Sequence, residues 1–342
     1  MKRKLLIVFL CIVTVATYIY SLVNTKELSE NINACVVRCI NVIIPSLFIY
    51  MVLSSLIIES GIYKFIFVPL KPLAKYIFSL PISLFFVFVM GNICGYPIGM
   101  KLINDMLEKG EIDKKTASVM SASCYGGGPS FLLGLVGISI YGDENAGIII
   151  FLSCFLSNAL IAIVINRIYK PQVKSLDVTL QKPDLISSIT NSAISIFKIC
   201  AVILSFSFVT TFLNGILKNI DKPTATIIKS FFEITNITAL DNASTSYMPI
   251  VAAISSFGGI CILLQLKSVT GLTLKYIILS RLAACPLSAF LCLVIIKATG
   301  YTPSIYASYV YNIKSTSISL PGTILAAILV IFLIFTKEKA DS

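Results

Sequence analysis

Apolar residues run in long blocks along this chain, each closed by a short polar, glycine-rich or proline-rich stretch. About 20 helical residues cross a bilayer core, so blocks of that length predict spans. Residues 5–23, behind MKRK, read as an uncleaved first helix with its basic end in the cytoplasm. Residues 24–33 read as a short polar loop outside, and 34–58 as a second span carrying Arg38 and Pro45. Residues 59–78 mix lysines with aromatics and leucine, a basic amphipathic segment for the inner surface. Residues 80–100 cross outward but are broken by GNICGYPIG, and 101–115 are polar. Residues 121–141 open on three glycines and Pro129, which predicts a re-entrant hairpin, and 145–168 cross inward. Residues 169–185 form a basic cytoplasmic linker. Then come a span at 186–217, a weak polar span at 224–241, a hairpin at 247–266 and a span at 272–298. A tyrosine-rich external loop at 300–317 and a last span at 320–335 complete the chain. Roughly eight crossings and two hairpins result, with both termini inside.

Three segments are echoed in the same order. RCINVIIPSLF (38–48) is answered by KICAVILSFSF (198–208), GGGPSFLLG (126–134) by FGGICILLQ (257–265), and LSCFLSNAL (152–160) by LSRLAACPL (279–287). Internal repeats build many transporters, with the site at the repeat interface. The organisation expected is an anchor helix and loop at 1–33, a first repeat at 34–168, the linker at 169–185 and a second repeat at 186–299. Residues 300–342 supply an external loop, a last helix and a cytoplasmic tail. The predicted fold class is all-α: a polytopic integral membrane protein with two inverted-topology repeats, broken helices and re-entrant hairpins. Lys218, Lys222 and Lys229 fall outside in this scheme, against the positive-inside rule.

Composition agrees. Of 342 residues, 57% are hydrophobic and 13% charged, and mean hydropathy is +0.93. A soluble domain carries about 25% charged residues. A net charge of +11 would suggest nucleic acid in a soluble protein, but here the cations flank spans. The absence of histidine excludes Ser-His-Asp and Cys-His catalysis. Ten cysteines lie mostly in apolar runs without CxxC spacing, so they read as buried thiols; no metal, cofactor or catalytic residue is expected.

The chemistry gathers at the breaks. Non-helical backbone at membrane depth is tolerated only inside protein or along a watery cavity. GNICGYPIG and SCYGGGPS therefore nominate Asn92, Gly95, Tyr96, Pro97, Gly99, Gly126, Gly127, Gly128, Pro129 and Ser130 as substrate-binding. The polar stretch FFEITNITALDN adds Glu233, Thr235 and Asn236, since an intramembrane carboxylate by default marks function. Gly258, Gly259 and Gln265 complete the set. Arg38 and Lys198 correspond in the repeat and read as snorkelling cations. Arg281 lies deeper and, with Asp241, is the expected charge partner: Glu233 should bind a coupling cation or pair with Arg281.

CGYPIGMKLINDML, then SASCYGGGPSFLLGLVG, then IYGDENAG resemble the nucleoside recognition, or Gate, family of membrane proteins, and within it sporulation integral membrane proteins of the YlbJ type. The matching positions are Gly95, Tyr96, Pro97, Gly99 and Lys101, then Gly128, Pro129, Phe131 and Gly134. Glu233, Ile234 and Thr235 match an E-[IL]-T block, and Phe257, Gly258, Gly259 and Gln265 match an F-G-G block with its following Gln. The resemblance covers roughly residues 35–300; SCYGGGP departs from a more Asn- and Ser-rich lead. It implies a multi-pass cell-membrane protein, in the mother-cell or forespore membrane, that acts in endospore and cortex formation. It further implies a transporter or permease whose partners are the bilayer, a small polar solute or ion, and a second copy of itself. The alternative is a non-transporting scaffold for spore-envelope enzymes. Nucleic acid is not a partner, and no P-loop is present.

Overall fold

The computed structural model describes residues 15–16, 18–174, 182–240 and 244–302. The last span, most of the tyrosine-rich loop, most of the first helix and Asp241 lie outside the described residues.

Every described element is helical. The long elements are α1 (Thr25–Arg38), which runs through a π-helical stretch at Cys39–Ile43 into α2 (Ile44–Ser60). Then follow α3 (Ile82–Ile93), α4 (Ile98–Glu108), α5 (Lys114–Ser121), a π-helix at Ser130–Tyr141, α6 (Glu144–Tyr169) and α7 (Leu185–Ile216). The order ends with α8 (Lys222–Phe232), α9 (Met248–Phe257), α10 (Gly259–Val269) and α11 (Lys275–Thr299). Side chains start several of them. Asp113, Asp143, Asp184 and Asp221 each accept a hydrogen bond from a first-turn N–H, satisfying groups that have no partner inside the helix.

Four helical stretches are long and apolar enough to cross a membrane: Glu144–Tyr169, Leu185–Ile216, Thr245–Val269 and Lys275–Thr299. A fifth results if Val68–Ile77 and Ile82–Ile93, bent by 92° at their junction, form one span. The chain is thus a multi-pass membrane protein, with fewer spans among its described residues than the eight expected. The helices over 145–168, 186–217 and 272–298 match the sequence reading within a residue or a few.

Three elements differ from expectation. Residues 24–33 are not a loop. They fall in α1, because its polar residues have partners on α7: the Asn31 amide donates to Thr211 Oγ1 at 2.7 Å, and Asn214 donates to Glu27 Oε1 at 2.8 Å. Residues 224–241 do not form a span: α8 ends at Phe232, where extended backbone at Glu233 leads into a 3₁₀ turn, Ile234–Ala239. In place of a second hairpin, Thr245–Val269 is one helical rod interrupted at Gly258 and Gly259, both at positive φ (79° and 87°).

The core sits where α6, α9 and α11 pack on one another, with α5 and the 3₁₀ turn against them. The two glycine breaks meet there. A Cβ on Gly99 would lie 2.3 Å from the carbonyl oxygen of Cys124, and one on Gly128 would lie 2.7 Å from that of Ile93. Backbone touches backbone at both points, which only glycine allows.

Candidate functional site

Two clusters form at this meeting of breaks. The first is a cavity of about 70 Å³. Its polar wall comes from Gly95 and Tyr96 after α3, Gly128 and Ser130 around the GGGP turn, Glu233 and Thr235 after α8, and Gln265 on α10. Its apolar wall includes Ile43 and Leu47 from the first helices and Ile199 and Ile203 from α7. Seven of the residues nominated from sequence therefore line one space, although they come from positions as far apart as 95 and 265. Ser130 is exposed, while the other six are buried.

Glu233 carries the charge in this wall. Extended backbone ends α8 there, and the carboxylate turns back to accept the Thr235 N–H at 3.1 Å and the Thr235 hydroxyl. Its ion-pair partner is Arg38, with Nη1 3.6 Å from Glu233 Oε2; Arg38 also donates to Thr235 Oγ1. The pair is lopsided: the Glu233 side chain is 6% exposed and that of Arg38 28%. This corrects the expected Glu233–Arg281 pair. It also corrects the reading of Arg38 as a snorkelling cation equivalent to Lys198, because Lys198 is exposed on α7 while Arg38 turns inward. The inward turn follows from position: Arg38 lies at the junction of α1 with the π-helical stretch, and π-helical insertions often mark functional sites.

The second cluster is a guanidinium–amide hub on the other side of Tyr96 and Tyr125, whose rings lie 4.8 Å apart. Arg281 is 1% exposed. Its Nη2 donates to Ala122 O at 2.8 Å and Asn158 Oδ1 at 2.9 Å, and its Nη1 to Ser256 O at 3.1 Å and Tyr125 O at 3.3 Å. Its guanidinium also stacks over the Tyr125 ring, 4.7 Å from the centroid. The carbonyls it meets at Ala122 and Ser256 lie at the C-terminal ends of α5 and α9, where helix dipoles favour a cation. Asn158 donates to Asn92 Oδ1 and Tyr125 O, both at 2.7 Å, and Asn92 donates to Phe88 O and Ser123 O. Tyr125 donates to Phe257 O at 2.5 Å and Tyr96 to Ser255 O, which ties both glycine breaks to α9.

Hub geometry accounts for the remaining nominees. Asn92 is spent on protein partners and does not face the cavity. Gly126 packs on the Asn92 and Asn158 side chains, Gly127 on the Tyr96 hydroxyl, Gly258 on the Tyr125 hydroxyl, and Gly259 on backbone of α8 and the 3₁₀ turn. Pro97, Gly99 and Pro129 shape the breaks without lining the cavity, and Asn236 donates to Lys229 O and Glu233 O. Sequence reasoning did not nominate Asn158, Tyr125 or Lys101 as site residues, although Lys101 stands in the family block. Lys101 is buried, 2.9 Å from Asp105 and 3.2 Å from Ser55 Oγ. A lone amide in an apolar run was the available signal for Asn158, and the GYPxGxK block for Lys101.

Over 125 residues the chain is 29% identical to the sporulation integral membrane protein YlbJ of Bacillus subtilis strain 168. The match covers 36% of this chain and 31% of that protein, so the chain matches about a third of the relative's length. No family model matches the chain. No solved structure matches it either.

Proposed function

We propose that this chain is a sporulation membrane permease for a small polar solute or ion, and that the cavity where its helix breaks meet is its transit site. One observation carries the reading: a buried carboxylate, Glu233, in the wall of a cavity built by helix breaks in a multi-pass membrane protein. Size narrows the cargo. Pockets for drug-sized ligands are about 300–1,000 Å³, so about 70 Å³ suits a few waters or a small ion. Arg38 acts as a built-in counter-ion. It neutralises Glu233 while the site is empty, and its more exposed side chain yields the carboxylate to an incoming cation. The protein moves its cargo without chemical change.

The Gate resemblance and the inverted repeat belong to the same proposal. One repeated segment pair touches at equivalent positions, and a second comes within one residue of doing so. Ser157 and Ala284 match in the third pair, and Ser157 Oγ donates to Ala284 O at 3.1 Å. In the second pair Gly126 matches Phe257, whose carbonyl accepts the hydroxyl of Tyr125, the neighbour of Gly126. Such contacts are expected around a pseudo-two-fold axis. The relative's printed role, a sporulation integral membrane protein, supports a membrane of a sporulating cell as the setting; the mother-cell or forespore membrane as site and the spore cortex as beneficiary are part of the proposal.

The closure of the Arg281 hub favours a second reading, a rigid scaffold for spore-envelope enzymes, because each nitrogen of its guanidinium is already bonded. Flux separates the two. Proteoliposomes holding the protein should take up one of a panel of small cations and polar solutes, and a membrane-impermeant thiol reagent should block uptake through Ser130→Cys. No flux across the panel in both membrane orientations would favour the scaffold.

A further inference from the structure

A second and much larger concavity, about 650 Å³, opens far from Glu233 in the chain, between the segment before α3 and the end of α6. Four cations line it: Lys71 and Lys75 from the first wall, Arg167 and Lys170 from the second. All four are exposed, and none of the lining residues is acidic. Like charges gather this way in solvent at an electrostatic cost, which an anionic ligand relieves.

Three further observations fix the ligand's class. The segment that supplies Lys71 and Lys75 carries Phe65, Ile66, Val68, Leu73, Tyr76 and Ile77 as exposed apolar side chains, so the cations border a greasy belt. That segment turns 92° from α3, so it leaves the direction of α3 as a helix lying along the membrane surface would. Ser79 and Lys170, the non-glycine residues at positive φ among those described (53° and 46°), both line the cleft; strained backbone of this kind clusters at binding sites. A free anion needs the cations but not the belt. An anionic lipid uses both, with its phosphate among the lysines and its chains along the apolar face.

We infer that this cleft binds the phosphate-bearing headgroup of an anionic phospholipid in the leaflet that the positive-inside rule assigns to the cytoplasm. The lipid bridges α6 and the surface segment, and so fixes the angle at which α3 enters the core. The inference is independent of what crosses at Glu233.

The full chain in neutral detergent, titrated with phosphatidylglycerol or phosphatidylcholine and read by native mass spectrometry, tests it. Wild-type protein should retain phosphatidylglycerol about tenfold or more tightly than phosphatidylcholine. The variant Lys71→Gln/Lys75→Gln/Arg167→Gln/Lys170→Gln should lose that preference. A control of equal net charge, Lys109→Gln/Lys114→Gln/Lys115→Gln/Lys218→Gln, should keep it, as should Lys71→Arg/Lys75→Arg/Lys170→Arg. Three results would overturn the inference: preference retained in the cleft variant, equal loss in the control, or displacement of the lipid by inorganic phosphate at matched concentration. The last would make this a site for a free anion.

Discussion

The pairing of Arg38 with Glu233 is open to a double-mutant cycle. At 3.6 Å, two unit charges attract by about 1 kcal/mol in a water-like medium and about 5 kcal/mol at an effective dielectric constant near 20. The 28% exposure of Arg38 pulls the value below the upper figure, and the two Thr235 bonds that also hold the carboxylate pull it further. A coupling of about 1–3 kcal/mol follows. Arg38→Met should cost more than Glu233→Gln, because it leaves a charged carboxylate buried, whereas the second change leaves a cation that can reach solvent. The double variant should be more stable than the sum of the two losses predicts. The chain has no tryptophan, so its thiols provide the assay. Nine free cysteines are described and seven of them are buried. A dye that fluoresces on reaction with thiols therefore reports unfolding. Additivity within about 0.5 kcal/mol would refute the ion pair, and with it the reading of Arg38 as a counter-ion.

Other outcomes follow from the packing. Gly99→Ala should destabilise by about 1–3 kcal/mol or more, since its Cβ would meet the Cys124 carbonyl at 2.3 Å, while Gly134→Ala, with open space around it, should be near neutral in the same thiol melt. Arg281→Lys should lower the melting temperature despite keeping the charge, because an ammonium cannot reach the four separate acceptors that two guanidinium nitrogens serve. Hydrogen bonding to Thr116 holds the Asp113 carboxyl below its ordinary value of 3.8, so its capping contribution is present at neutral pH and is lost as pH falls through the lowered value. Asp113→Ala should remove that part of the acid dependence, read as the melting temperature from pH 2 to 7. A single cysteine at position 174, in a background without native thiols, should label only from the cytoplasmic side; external labelling would sink the inverted-repeat topology.

Helices α6, α7 and α11 were legible because a long apolar run has few alternatives to a span. The breaks were legible because glycine and proline at membrane depth need a special reason. Helix α1 was not, since TKELSENIN looks like a loop until Thr211 and Asn214, nearly 200 residues on, supply its partners. Glu233 was singled out by its cost, but its partner was misassigned. Arg281 and Arg38 both sit in apolar runs, and only the fold decides which one faces α8 and which meets the carbonyls of α5 and α9. The hub followed the same logic: Asn92 was nominated for a ligand because nothing in its own segment revealed Asn158 opposite it.

The central claim is that Glu233 handles the cargo in a permeation site. Flux through proteoliposomes of wild-type protein and of Glu233→Gln, each first shown to be folded by the thiol melt, tests it most directly. The account predicts saturable uptake in the wild type and its loss in Glu233→Gln. Equal uptake by both proteins would contradict it and leave Glu233 as a structural cap on the turn that follows α8.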